Sequence, residues 1–477
     1  MTNESRSQYL IAQISRELGA IVGHDQVSLD KEKRFEQASD WSWMSKYLIS
    51  KNQELPMADI VVSPKSSEEV SKVVALANEY RMPVIPRGGG SGTQSGTFAL
   101  YGGIALDLRR LNKIVDVDEN SMVVTVEAGL DGSELEKVLN AKGLTMPHYP
   151  GSHFFGATIG GCLAARGSGV VSTKYGKAED LVLQIEAVMA NGKIIETLPV
   201  PSHASGPGII QTIVGSEGTL AVFTEITLAL VPRPTISKYG VGYFENLSGA
   251  ASAVEAVLAA GKLPSTLEFL DNKCIRAVED FANLNLDINA GALLLFGDDG
   301  SGSEVEDTVK EIADIIRKIP GCRDVTLAKD IAEAEALLYA RRCSLPALAR
   351  HGTITILEDI SVPRPAMAEV VNRIDGLASK YNLEIGTFGH AGDGNLHPTI
   401  VLDKDDSAAI ARAEEVLKDI FALALEFNGT ITGEHGVGSA KLPYLRNQIG
   451  EIGMQVHRNL KRVFDPNGIL NPNRLGS

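Results

Sequence analysis

Hydrophobic positions fall into two rhythms that alternate along most of the chain. Residues 5–22 repeat weakly at helical spacing, and residues 23–56 read as irregular and polar. Alternation then sets in. Asp59 to Ser63 reads as a strand, and Ser66 with Glu69 forms a capping box ahead of Val70, Val73, Val74 and Ala77 at helical spacing. Strands follow at 84–86, 103–108 and 121–127, with a helix at 132–142. The segments 181–190 and 193–197 flank Asn191-Gly192, which predicts a hairpin. A strand at 221–231 runs up to Pro232-Arg233-Pro234, a boundary signal.

From 235 to 428 the pattern predicts helices at 249–260, 303–318, 329–350, 364–380 and 407–427, and strands at 239–243, 265–270, 292–297, 354–362 and 383–389. Antiparallel returns among them suit a split βαβ sheet with helices on one face. A last helix is expected near 450–464, before turns at Asp465-Pro466-Asn467-Gly468 and Asn471-Pro472. The fold class is α+β, in four parts: 1–56, 57–234, 235–428 and 429–477. Trp41 and Trp43 fall in the first part and are expected to pin it to the body.

Composition adds limits. A chain of 477 residues with 44% apolar and 22% charged residues is long enough for two or three domains with substantial cores. A net charge of −15 argues against general affinity for nucleic acid or anionic lipid, but not against a local pocket for a small anion. Cys162, Cys274, Cys322 and Cys343 share no Cys-x-x-Cys spacing and are too sparse for a disulfide framework. The first 25 residues lack a signal-peptide core, and no window approaches the ~18 apolar residues of a membrane span. These features imply a reducing cytoplasm, with any membrane association peripheral.

Candidate chemistry begins at Arg87-Gly88-Gly89-Gly90-Ser91-Gly92-Thr93, part of a run to Gly96 that follows the strand at 84–86. Bare backbone of this kind lets N–H groups converge on an anion. It matches neither the Rossmann fingerprint nor a P-loop, because no helix with the required spacing follows. Further glycine-bearing stretches are Pro150-Gly151-Ser152, Thr158-Ile159-Gly160-Gly161, Ser168 with Tyr175, and Glu217-Gly218. Each alone reads as a tight turn. Together in one half of the chain they suggest one extended phosphate-bearing ligand threaded between them.

Two histidine stretches follow. In Gly389-His390-Ala391-Gly392-Asp393-Gly394-Asn395-Leu396-His397, Asp393-Gly394 signals a type I′ turn. With those two residues as the loop, His390 and His397 would lie directly opposite each other, with Cβ atoms about 4.5–5.5 Å apart. Two such imidazoles fit one metal ion. In Thr432-Gly433-Glu434-His435-Gly436, Glu434 could complete a two-histidine, one-carboxylate set while His435 faces a substrate as general base. Arg341 and Arg342 offer a fork for a carboxylate.

In order and content these stretches resemble the FAD-linked oxidoreductases of the vanillyl-alcohol-oxidase and para-cresol-methylhydroxylase (PCMH) fold. Within it the likeness is to the branch of D-lactate dehydrogenases, glycolate oxidase catalytic subunits and D-2-hydroxyglutarate dehydrogenases. The resemblance covers residues 57 to 475. It implies a PCMH-type FAD-binding domain at 57–234, a cap with an antiparallel sheet covered by helices at 235–428, and a tail returning to the FAD domain through Asn471. Ser91 stands where relatives with tethered flavin carry histidine, which implies non-covalent FAD. His390, His397 and Glu434 would bind a divalent metal such as zinc, His435 would take the substrate hydroxyl proton, and Arg341 would hold the substrate carboxylate.

The partners implied are a small 2-hydroxy acid and an electron acceptor such as a quinone, a cytochrome or an electron-transferring flavoprotein. A homodimer is allowed. The hydroxyglutarate enzymes carry a lysine just before an Asp-x-Ser-x-Pro segment. Leu357-Glu358 precedes Asp359 here, and a glutamate would repel a second carboxylate, which favours a monocarboxylic substrate of lactate or glycolate size. The stretch from Ala165 to Gly176 looks more like alkyl-dihydroxyacetonephosphate synthase, a flavin-dependent transferase, which stands as the alternative reading.

Overall fold

The computed structural model describes residues 8–148, 151–200 and 204–475. Its first half carries two sheets of four and five strands, beside a two-stranded pair, Leu144–Thr145 with Val231–Pro232. In the smaller, Ile60–Val62, Ile104–Asp107 and Val84–Arg87 run parallel, with Val27–Ser28 at one edge. The capping box at Ser66 starts the helix Ser67–Glu79, whose Val70, Val73, Val74 and Ala77 are fully buried against that sheet. The larger is antiparallel, in the order Ile114–Asp118, Val123–Glu127, Ala221–Ala229, Val182–Met189, Ile194–Glu196. The Asn191-Gly192 hairpin forms as expected, with Gly192 at a φ of +79°.

The second half is built on an eight-stranded antiparallel sheet. Its path runs Cys322–Leu327, Ile236–Phe244, Ala292–Gly300, Thr266–Asp271, Glu384–His390, Asn395–Leu402, Ile354–Leu357, with Ile360–Ser361 paired to the Asn395 strand. Helices cover both faces rather than one. Leu247–Ala259, Glu304–Arg317, Met367–Tyr381 and Ser407–Glu426 pack on one side, and Asn272–Ala282 and Ser344–Leu348 on the other. The unbroken apolar run Ala292-Leu293-Leu294-Leu295-Phe296 reflects this, since alternate residues enter the two cores.

Three other expectations are corrected. The segment 23–56 is not irregular: it holds helices Lys31–Ala38 and Trp43–Ser50, capped by the side chains of Asp30 and Ser42. The single helix expected over 329–350 is broken into Ile331–Arg342 and Ser344–Leu348, because Pro346 is tolerated only in a first turn. The break leaves Arg341 in a terminal turn. The last helix runs Leu442–Phe464 and is kinked at Gly450, where φ is +67°.

The C-terminal segment returns to the first half. Val84 N–H donates to Ile469 O and Asn471 N–H to Val84 O, each at 2.8 Å, and Leu470 bridges to Val84 in parallel. Arg474, fully buried, donates to the Ser95 and Phe98 carbonyls, both at 3.0 Å. Lys461 donates to Thr219 O at 2.8 Å. No helix among the described residues is long and apolar enough to cross a membrane. The four cysteines are free.

Candidate active site

A cleft of about 640 Å³ lies between the two halves. One end is the glycine loop. Gly88 lies against the Thr158 hydroxyl and Gly89 against the Gly156 carbonyl, so a Cβ at either would collide. Thr158 caps the helix Ile159–Ala165, its hydroxyl accepting from Gly161 N–H at 3.2 Å. Trp41 also lines the cleft, against Phe155 with ring centroids 4.3 Å apart, while Trp43 is buried in the core of the second half. Trp43 thus pins the arm to the second half, and Trp41, more exposed, touches the rim of the cleft and donates its backbone N–H to Gly92 O at 2.9 Å.

The cleft wall includes Arg87, Gly88, Gly89, Gly90, Ser91, Gly92, Thr93, Ser152, Thr158, Gly160, Gly161, Glu217, Gly218 and Asn471 from the glycine-bearing stretches. Pro150 lies outside the described residues. Gly151 opens a short 3-10 turn, Gly151–Phe155. Ile159, Ser168 and Tyr175 are not in the wall. Ile159 is buried in a core and its N–H donates to Leu130 O at 2.9 Å. The Ser168 N–H donates to Glu434 Oε2 at 2.9 Å. The Tyr175 hydroxyl reaches across to Asp299 Oδ1 at 2.6 Å, tying the two halves together. Glu217 is in the wall, but its carboxylate accepts the Val437 and Gly438 N–H groups at 2.6 and 2.8 Å, so it anchors the second histidine loop.

The other end gathers the second half's candidates. His390 Nε2 and His397 Nε2 each lie 3.3 Å from Glu434 Oε1, and His435 Nε2 lies 3.9 Å from it. The imidazoles of His390 and His397 are 5.4 Å apart and edge-on, while His435 stacks on His397 at 5.2 Å. The route to this cluster differs from the one expected. His390 pairs with Asn395, and His397 pairs with Phe388. A type I′ turn needs positive φ at both central residues, and here Gly394 alone has it, at +80°. The loop is therefore longer, Ala391 to Gly394, and the pairing moves by two residues. A shift of two keeps both histidines on one face, as diagonal rather than direct neighbours.

Two buried carboxylates that the spacing did not reveal hold this cluster. Asp359 is fully buried. Its Oδ2 accepts from Thr432 Oγ1 at 2.7 Å and from the N–H groups of Gly433, Glu434 and His435 at 2.8, 3.0 and 3.0 Å. Glu268 accepts from His390 Nδ1 at 2.6 Å and from Arg341 Nε at 2.5 Å. Arg341 also lies over the Phe388 ring at 4.8 Å. The one legible signal for Glu268 is a charge set between the apolar residues Leu267, Phe269 and Leu270 of the strand Thr266–Asp271.

Burial opposes charge throughout, and the neighbours decide the outcome. Despite burial, hydrogen bonds from His390 and His397 hold the Glu434 carboxyl well below its ordinary value. Burial pushes His390 down, but Glu268 and Glu434 outweigh it and bring it to about 10. For His435 burial wins over Asp359 and Glu434, and its pKa is lowered, so a neutral ring faces the cleft.

The donor set fits a divalent cation: two imidazole nitrogens and a carboxylate oxygen within 4.8 Å of one another. A second group, Asp359, His397 and His435, fits less well because Asp359 is already engaged. The wall also fits an extended polar ligand. Arg87 Nε, Gln94 Oε1, Asn471 Oδ1, His397 Nδ1 and His435 Nδ1 are buried without a hydrogen-bond partner among the described residues, and all five residues line the cleft.

Comparison with known proteins accounts for this architecture. "FAD linked oxidases, C-terminal domain" matches residues 233–475, and "FAD binding domain" matches residues 58–198. The glycolate oxidase subunit GlcD of Bacillus subtilis is 40% identical over 420 residues, covering 88% of this chain and 89% of the relative. A D-lactate dehydrogenase of Anaerostipes hadrus is 31% identical over 426 residues, covering 87% and 89%. Among solved structures, p-cresol methylhydroxylase with substrate bound superposes with a TM-score of 0.82 at 17% identity, over 99% of this chain and 98% of that one. Fold and family together define an FAD-linked oxidoreductase with the fold of p-cresol methylhydroxylase. The chain belongs to the FAD-linked oxidase family.

Proposed function

We propose that this protein is an FAD-dependent, metal-assisted dehydrogenase that oxidises a D-2-hydroxy acid of lactate or glycolate size to the 2-oxo acid. The observation that carries the reading is the convergence of His390, His397, Glu434, His435 and Arg341 on the same cleft as the glycine loop. The glycine loop, Gly160-Gly161 and Asn471 would hold FAD without a covalent tether, and His390, His397 and Glu434 would hold the cation. When bound, FAD supplies the acceptor for the hydride leaving the substrate Cα, and the cation supplies Lewis acidity at the substrate hydroxyl.

The chain's own residues do the rest. Arg341, its Nε held by Glu268, offers its terminal nitrogens to the substrate carboxylate. His435, neutral at physiological pH, takes the hydroxyl proton on a ring nitrogen. The size limit has a different basis from the one expected. Glu358 does not face the cleft: it is buried, with Lys441 Nζ 3.1 Å from Oε2. Leu357 faces the cleft instead, beside Leu345 and Pro346. At these three side chains a second carboxylate finds no partner, which favours a monocarboxylic substrate; Arg342, elsewhere in the wall, donates from Nε to Leu338 O. The electrons then pass to a quinone, a cytochrome or an electron-transferring flavoprotein.

The test is anaerobic flavin bleaching across a panel of D- and L-2-hydroxy acids, with and without chelator. Bleaching by D-monocarboxylic acids is expected, slowed by chelator and by His390→Ala and His435→Ala. No bleaching by any 2-hydroxy acid, or unchanged rates in both variants, overturns the reading.

A further inference from the structure

Glu268 is 1% exposed in a strand whose neighbours Leu267, Phe269 and Leu270 are also buried. The sheet register places it directly opposite His390. Its two oxygens are divided: Oε1 takes His390 Nδ1 at 2.6 Å, and Oε2 takes Arg341 Nε at 2.5 Å. No other side chain is hydrogen-bonded to both of these groups among the described residues. We propose that Glu268 is a positioning residue that couples the two devices holding the substrate, the metal-ligating face of His390 and the carboxylate-binding fork of Arg341. This inference rests on the functional reading above.

The physical argument is one of donors and acceptors. His390 can present a lone pair from Nε2 towards Glu434 and a cation only if Nδ1 carries the hydrogen, and Nδ1–H needs an acceptor. Arg341 Nε–H needs an acceptor as well, and holding it fixes the guanidinium plane at the cleft wall. A carboxylate accepts from both at once. A glutamine of the same shape cannot, because its second terminal atom is itself a donor. Glutamine at 268 must therefore either turn its amide NH₂ on Arg341, displacing the fork, or turn it on His390, forcing the tautomer whose Nε2 carries a hydrogen and cannot ligate.

The experiment compares the FAD-loaded wild-type protein with Glu268→Gln. Zn²⁺ alone is titrated in competition with a chromophoric chelator, and KM for D-lactate is read from flavin reduction. At least one of the two should worsen tenfold or more in the variant, as metal-site partners of this kind do. Values within twofold of wild type on both readouts overturn the coupling, even if the melting temperature falls, since a packing role alone lowers only that. If the glutamine variant does not fold, Glu268→Asp serves. It keeps the charge but withdraws both acceptors by a methylene, so both readouts should worsen together, and unchanged values overturn the coupling. Wild-type protein that neither takes up Zn²⁺ nor is reduced by any 2-hydroxy acid defeats the functional reading and this inference together. Wild type that does both, with matching variants, defeats the coupling alone.

Discussion

Asp359→Asn should release the loop that carries Glu434 and His435. The side chain is fully buried, and its Oδ2 accepts from four donors on Thr432, Gly433, Glu434 and His435. Asparagine can still direct one oxygen at the loop, so the hydrogen bonds are weakened rather than removed. A hydrogen bond to a charged group contributes about 1.5–3 kcal/mol and a neutral one about 1, so four bonds lose roughly 2–8 kcal/mol in total. The new amide NH₂ would meet Asn395 Nδ2, which now donates to Asp359 Oδ1 and to Ile360 O at 3.0 Å. Asn395 can turn its unpartnered Oδ1 to the new donor only by giving up the Ile360 bond. Lys441 keeps Glu358 as its ion partner, so no buried charge is stranded. If the whole loss falls on the transition state, the rate of flavin reduction drops by at least about 30-fold, at 1.36 kcal/mol per factor of ten. Urea unfolding followed by circular dichroism reads the stability, and stopped-flow bleaching reads the rate. A stability loss under about 1 kcal/mol with a rate within twofold of wild type would refute the claim that this carboxylate holds the loop.

Two further predictions probe other parts of the molecule. Leu357→Lys places an ammonium in the apolar wall of the cleft and should shift the kcat/KM ratio of a dicarboxylic over a monocarboxylic 2-hydroxy acid by at least about tenfold, the worth of one exposed-to-buried ion pair; an unchanged ratio places the distal end of the substrate elsewhere. His148, buried with neither ring nitrogen partnered among the described residues, is pushed down to about 3 by burial and by His153. The unfolded chain binds this proton below about pH 6.5 and the folded one does not, so the group lowers stability as pH falls from about 6.5 towards 3, by about 1.4 kcal/mol per unit. His148→Leu should flatten that acid limb in urea titrations at pH 7 and pH 5, and an equal slope in the variant would show that the ring is solvated.

The parts of the site that were legible in the sequence are those whose chemistry is local. A run of glycines after a strand, or a glutamate next to a histidine between glycines, announces itself within ten residues. The hairpin was legible in outline, because alternation puts His390 and His397 on one face whichever of two registers forms, but the register depends on φ at Asp393, which composition does not fix. Glu268 and Asp359 were not legible as parts of the site. Their partners lie 122 and 75 positions away, at His390 and Glu434, and only the closed sheet brings them together. The break after Arg342 is hidden for a related reason: Pro346 four positions on permits a new first turn as readily as it ends a helix, and the packing of Ala347 and Leu348 decides. The short helices at 31–38 and 43–50 did carry a signal, the caps Asp30 and Ser42, which the polar composition of the segment hid.

The tail that pairs with Val84 bears on the order in which the protein is made. Strand Val84–Arg87 and the glycine loop leave the ribosome early, yet the sheet they belong to gains Ile469 and Leu470, and the loop gains Arg474, only after nearly four hundred further residues. The eight-stranded sheet, whose strands run from Ile236 to Leu402, has all its members before then. Closure of the cofactor end is therefore the late step, and the highest-separation contacts in the molecule are the ones that complete it. A nascent protein stalled before residue 469 would display its glycine loop without the segment that backs it.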